Sequence, residues 1–253
     1  DEVMRSVVAD EVSPVLRGHI NAYPLEPDYE QANNGAWPWW LEPVPDTSTQ
    51  FATLRDRHGD IIISSNHPTD NGLAWAAGWS EGIIDKPDYW SADFDSVEVA
   101  NRGDYAEFLP FYLDLINRGY LVAPVAVTDS HSHFQSSPGM NATFIGVGSN
   151  DVTQSDNEDL KEAIRSRRTI ASRGVFLEMS IEPGSLVVGS TDLQVEAHSP
   201  SWIVVDRLKL LEDGLEVEQV AGTQANFTLA PTKDASYVVI AEGDQAMTPI
   251  YAK

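Results

Sequence analysis

The 253-residue chain contains no cysteine. That absence excludes a disulfide framework and any thiolate metal site, so a metal bound here must be held by imidazole and carboxylate. Basic residues are scarce: 16 Lys and Arg stand against 39 Asp and Glu, a formal charge of −23. Recognition of a phosphate backbone needs clustered Lys and Arg, which argues against nucleic acid as a partner, and the same sign disfavours an anionic membrane surface. No apolar run approaches the roughly 18 residues of a membrane span, and the basic start and apolar core of a signal peptide are missing. What is abundant is apolar material, 42% of the chain with seven Trp, eight Tyr and eight Phe, enough for a sizeable core and against global disorder. The acidic, cysteine-free composition leans towards a periplasmic or extracellular setting.

The first two thirds read as alternating strand and helix. Arg5 to Ala9 reads as a strand running into Asp10-Glu11, and Gly18 to Leu25 as a second extended piece. Residues 26–48 form a loop too rigid and aromatic for a solvated linker, with Pro27, Pro38, Pro43, Pro45, Trp37, Trp39 and Trp40; it is either a lid or an ordered loop packing its rings on the core. Ser48 to Arg57 is predicted helical, capped by Thr47 or Ser48 and stopped by Gly59. Strands follow at Ile61 to Ser65, Phe94 to Ala100, Leu121 to Val127 and Thr143 to Val147. Helices are predicted from Asp104 to Arg118, before Gly119, and from Glu158 to Arg168, capped by Ser155 or Asp156. Such alternation implies a parallel sheet or barrel. After about residue 172 the pattern changes to short alternating runs, Phe176 to Ile181, Asp192 to Ala197, Val204 to Leu211, Glu216 to Val220, Asn226 to Leu229 and Tyr237 to Ala241, a small β-sandwich. The expected division is residues 1–172 and 173–253.

The residues able to carry chemistry sit where apolar runs end, at the rim where parallel strands deliver ligands. His67 follows Ile61-Ile62-Ile63 and precedes Pro68, so its imidazole projects from the rim. Asp129 and His131 end the Leu121 to Val127 run and, two apart in an extended segment, face the same way, where carboxylate and imidazole can share a cation. His133 is an alternative partner for Asp129. Of Asp10 and Glu11, neighbours on one strand, only one can face the rim. His58 and His198 read as structural or surface histidines. Asn66 and Asn101 are turn formers that could also support a ligand.

Taken in order, Asp10-Glu11-Val12, Gly18-His19-Ile20-Asn21-Ala22-Tyr23-Pro24-Leu25, Asn66-His67-Pro68, Val97-Glu98-Val99-Ala100-Asn101, Asn117-Arg118-Gly119 and Thr128-Asp129-Ser130-His131 give the chain a pattern that resembles the CehA/McbA-like metallohydrolases, a branch of the polymerase-and-histidinol-phosphatase (PHP) superfamily. Ser199-Pro200-Ser201-Trp202, Val205-Asp206-Arg207 and Thr248-Pro249-Ile250-Tyr251 resemble that family's sandwich tail. The resemblance implies an α/β fold, a partial (β/α)7 PHP-type barrel followed by a small C-terminal β-sandwich. It further implies two or three divalent metals (Zn, Mn or Fe), with Glu11, His67, Asp129 and His131 as ligands and catalytic residues and His19 as a further ligand or close support. The implied activity is hydrolysis of a phosphoester or related small-molecule ester by a metal-activated water.

Two departures from the family are visible. Its His-x-His strand and the following Asp-His strand do not occur before Glu11, so the barrel is expected to start at its third strand and to be completed by an upstream segment of the same protein or by another chain. Near Pro138-Gly139, where relatives carry an arginine, the chain reads Met140-Asn141-Ala142-Thr143. Two other readings compete with the hydrolase: a non-catalytic binding or assembly protein with a degenerate barrel, and a glycosidase-like pair of Glu98 and Asp129 with no ion between them.

Overall fold

The structure, a computed structural model, describes residues 4–31, 35–39, 45–101, 105–131 and 140–245. In chain order the first part comprises β1 (Asp10–Val12), β2 (Ile20–Tyr23), α1 (Thr47–His58), β3 (Ile62–Ser65), α2 (Leu73–Ala77), β4 (Trp79–Ser80), β5 (Ile83–Ile84), β6 (Ser96–Asn101), α3 (Leu109–Asn117), β7 (Ala123–Val127), β8 (Ala142–Ile145), α4 (Asn157–Arg165) and β9 (Thr169–Ser172). Five strands form one sheet in the order β1-β2-β3-β6-β7. Strand β2 runs antiparallel to both β1 and β3, whereas β3, β6 and β7 are mutually parallel.

Alternation along these strands sorts the side chains onto two faces. Val12, Ile20, Ala22, Ile63 and Val97 face one way, into the main hydrophobic cluster, where they meet Phe51 and Leu54 of α1, Leu73 and Ala77 of α2, and Phe111 and Leu115 of α3. The opposite face begins apolar, with Tyr23, Ile62 and Ala123 closed off by Ile164 and Leu160 of α4 and by Ile145. Further along the same face lie Asn21, two residues from Tyr23 on β2, and Glu11, which pairs with Asn21 across the ladder. One end of this face is therefore plugged by α4 while the other is left for polar side chains. Helix α4 is fixed by a capping box, in which the Asp156 carboxylate accepts from the Glu158 and Asp159 amides and Asp159 accepts from the Asp156 amide.

The expected barrel of parallel strands is not what the described residues form: they make a mixed α/β arrangement of open sheets. Arg5 to Ala9 form no strand, and the edge strand begins at Asp10; upstream of it, the Val8 carbonyl accepts from the Leu25 amide. Strand β8 does not extend the five-stranded sheet but pairs with β9 in a separate antiparallel ladder. It meets β7 through side chains: Thr143 Oγ1 accepts from the Ala126 amide (2.9 Å) and donates to the Ala126 carbonyl (3.0 Å), and Asn141 Nδ2 donates to the Val127 carbonyl (3.0 Å). Thr169 Oγ1 donates to the Pro124 carbonyl in the same way (2.9 Å).

Helix α1 is capped by Asp46, just before the predicted Thr47 or Ser48, and ends at Gly59 (φ 76°) as expected. Helix α3 starts at Leu109 rather than Asp104, because Pro110 suits only a first turn; residues 102–104 lie outside the described set. Trp37 is buried in the main cluster with Trp39 packed against it, so these two rings serve the core; Trp40 and Pro43 are outside the described residues.

The remaining strands are β10 (Phe176–Met179), β11 (Thr191–His198), β12 (Arg207–Glu212), β13 (Leu215–Ala221), β14 (Gln224–Leu229) and β15 (Tyr237–Glu242). They form two antiparallel three-stranded sheets, β10-β11-β14 and β13-β12-β15. Leu177, Leu193, Val195, Phe227 and Leu229 from the first share one apolar cluster with Leu208, Leu210 and Val239 from the second. All six predicted runs carry a strand in a sandwich-like arrangement, since strict alternation such as the exposed-buried pattern of β11 is legible directly. Thr248 to Tyr251 lie outside the described residues.

Candidate metal centre

Three of the predicted ligands converge. Glu11, His19 and His67 each offer a ligand atom within 4.8 Å of the other two, and among the described residues theirs is the group of His and acid side chains that meets this condition. The side chains come from different elements: Glu11 from the middle of β1, His19 from the residue before β2, His67 from the turn after β3. His19 Nδ1 lies 3.2 Å from Glu11 Oε1, and the His19 and His67 rings meet edge to face with centroids 4.9 Å apart. His67 Nδ1 donates to the Asp70 carbonyl. A carbonyl can only accept, so Nδ1 carries a proton in this contact, and Nε2 is the ring nitrogen left to coordinate in the neutral imidazole.

Backbone geometry explains why the two histidines meet. Gly18, at φ +86°, lies so close to Gly72 that a Cβ on it would sit 2.8 Å from the Gly72 carbonyl carbon. The adjoining backbones are tied together by the His19 amide donating to Asn71 and the Asn66 amide donating to His19. His67 itself is held at φ 24°, in a left-handed conformation unusual for a residue with a side chain. Strain of this kind persists only where the surroundings over-determine it.

Asp129 and His131 line the same ≈ 350 Å³ cavity as Glu11, together with Asn21, Asn66, Glu98, Val127, Thr128 and Ser130. They stand outside the three-donor group. The extended geometry expected of them is corrected: Asp129 adopts φ 47°, so the two side chains share a side through a turn, not through strand alternation. His131 Nδ1 lies 3.0 Å from the Asp129 carbonyl oxygen and 3.4 Å from Asp129 Oδ1, and its ring is 60% exposed. His133 lies outside the described residues, as do Pro138 and Gly139. His58 and His198 do not join the site; His198 pairs with Glu178 at 3.0 Å.

Glu98 is the group whose role residue patterns alone did not isolate. It is 2% exposed and lines the cavity. Its Oε2 accepts from the His67 amide (2.6 Å) and from Asn101 Nδ2 (2.8 Å). Residues 98 and 101 would face opposite ways on a regular strand. The ladder between β6 and β7 slips by one residue between Glu98 and Ala100, and such a bulge restores the parity that brings Asn101 back beside Glu98.

The carboxylates of the site are held in different states. The hydrogen bond from His19, with lesser help from Ser13, keeps Glu11 ionised well below the usual range, at about 2, against the opposing effect of burial. Burial pushes Glu98 up to about 7, reinforced by the charges of Asp129 and Glu11 and only partly offset by its two hydrogen-bond donors. Asp10, on the other face of β1, is raised by burial and by Glu11.

A pH dependence follows for the metal-free protein. Glu98 has a higher pKa folded than unfolded, so between about 4.5 and 7 the folded state holds a proton the unfolded state has released. Its contribution is complete below pH 4.5 and is lost as pH rises through about 7. Glu98→Gln is expected to flatten this decline and to be more stable than the parent at pH 8 by on the order of 3 kcal/mol at most. Urea denaturation at pH 5 and pH 8 reads it, and a variant with the parent's pH dependence contradicts it. Glu11 has the opposite sign, stabilising above pH 4.5 and losing that contribution as pH falls towards 2.

Comparison of the chain with protein-family models, with curated proteins and with solved structures gave no match.

Proposed function

We propose that the chain is a metal-dependent hydrolase of the PHP type, acting on phosphoesters or related esters. The observation that carries this reading is the gathering of Glu11, His19 and His67 donor atoms within 4.8 Å beside a cavity that also holds Asp129 and His131. The donor set fits the group: two imidazoles and a carboxylate suit Zn, Mn or Fe, and the absence of cysteine leaves no softer competitor. Asn66 supports it further, since its Oδ1 is buried without a hydrogen-bond partner among the described residues, at the wall of the same cavity.

A bound divalent ion supplies Lewis acidity and a water that ionises near neutral pH. The protein's own residues prepare the place for it. Glu11 presents a negative charge at neutral pH, His67 offers a ligand atom towards Glu11 and His19, and Asp129 with His131 lines the cavity where the family resemblance assigns the remaining ligands. Strand β1 lies at one margin of the five-stranded sheet, where an upstream segment or a second chain completes a barrel in this reading. Composition favours a periplasmic or extracellular location.

Elemental analysis and ester hydrolysis test the proposal together. At least one divalent ion per chain is expected after reconstitution with Zn²⁺ or Mn²⁺, with cleavage of p-nitrophenyl phosphate esters abolished by EDTA and restored by the metal. A protein that takes up no ion and cleaves nothing belongs instead to the non-catalytic binding class.

A further inference from the structure

We infer that Glu98 is a positioning residue for the metal centre: its Oε2 fixes the His67 backbone so that the imidazole converges on Glu11 and His19. The inference rests on the metal-binding reading above and assigns the buried acid a task distinct from ligation. Glu98 lies outside the three-donor group, and one of its oxygens is committed to two N–H donors, the His67 amide at 2.6 Å and Asn101 Nδ2 at 2.8 Å.

Each part of the arrangement has a reason if positioning is the task. The turn after β3 must bend back sharply to aim His67 inward, and it does so with a left-handed residue whose amide points at β6 rather than along a ladder. An unpaired amide there would be a buried donor without an acceptor, which is costly to leave unmade. A carboxylate is the strongest acceptor available to it. The bulge after Glu98 brings Asn101, itself 7% exposed, onto the same oxygen, so the carboxylate is oriented from a second side. His67 is thus gripped twice, by Glu98 at its amide and by Asp70 at its Nδ1.

Glu98→Met and Glu98→Gln test this. Methionine keeps the volume and removes the acceptor; glutamine keeps an oxygen where Oε2 sits. In metal-free protein, the His67 amide proton is expected far downfield in the ¹H–¹⁵N spectrum of the parent, retained in Glu98→Gln and shifted upfield in Glu98→Met. In Zn²⁺ competition titrations, Glu98→Met is expected to lose about 10- to 100-fold in affinity, as removal of a ligand's supporting partner does, with Glu98→Gln recovering most of it. Should Glu98→Met fail to fold, Asn101→Ala, which withdraws the second donor and leaves the acid, is expected to lower affinity by about tenfold, the lower end of what loss of a supporting partner costs. A His67 amide at an ordinary shift in the parent overturns the inference. So does a variant that lowers the melting temperature of the metal-free protein but binds Zn²⁺ as the parent does. A parent that takes up no Zn²⁺ overturns the hydrolase reading, and the amide signal then decides by itself whether Glu98 holds His67.

Discussion

His67→Ala is expected to lower divalent-metal affinity by about two orders of magnitude or more while leaving the fold in place. Complete four-ligand zinc sites gather roughly 10–16 kcal/mol, so one ligand of such a set carries about 3 kcal/mol, or about a hundredfold in dissociation constant. Two contacts that order this turn are made by the backbone and survive the substitution, the amide to Glu98 and the carbonyl to the Asp70 amide, while the Nδ1 bond to the Asp70 carbonyl goes with the ring. What disappears is the imidazole facing Glu11 and His19. Calorimetric titration with Zn²⁺, beside a thermal melt of the metal-free protein, separates the two effects. Undiminished affinity would mean that the ion sits against Asp129 and His131 instead, and the three-donor centre would be wrong.

The second large effect is expected at a residue that carries no functional group. A Cβ on Gly72 would lie 2.3 Å from the Asn66 carbonyl oxygen, 2.5 Å from Pro68 Cα and 2.6 Å from the His67 carbonyl oxygen. All three are backbone atoms, so no side-chain rotation relieves the clash, and the 66–72 loop must open. Gly72→Ala is expected to destabilise the protein by about 3 kcal/mol or more and to weaken metal binding with it, because opening that loop carries His67 away from His19. Urea denaturation and the same titration read the two losses. A variant with the parent's denaturation midpoint and affinity would show that the close packing of Gly72 against residues 66–68 does not govern the site.

How much of this was legible in the residues varies with the distance over which a feature is decided. The strands of residues 176–242 were legible where side-chain alternation is local and one face is buried, most plainly in β11, while β13 and β15 were marked more by the turns that bound them. Strand β6 was legible as a buried run, with all six residues out of solvent. The direction of β1 and β2 was not, since three or four residues in extended conformation look the same whichever way they pair. The short elements between Leu73 and Ile84 escaped notice because five-residue helices and two-residue strands have no period to read.

The candidate site divides in the same way. His67 could be nominated from its place after an apolar run, Glu11 from its strand, and Glu11, His19 and His67 alike from the family resemblance. Asp129 and His131 were nominated for a reason that fails, because whether a rim residue continues its strand or enters the left-handed region depends on what surrounds it. The role of Glu98 depends on a one-residue slip between β6 and β7 and on an amide 31 positions away in the chain. Neither leaves a mark on neighbouring residue types.

Threonine hydroxyls and an asparagine amide, not a neighbouring ladder, occupy backbone groups along the outer side of β7. A hydroxyl can give and take a proton at once, so Thr143 answers both the N–H and the C=O of Ala126 without offering a partner of its own to a stranger. Recruitment of a foreign strand is thereby blocked at that border, and growth of the sheet through self-association is steered away from the wall that bears Asp129.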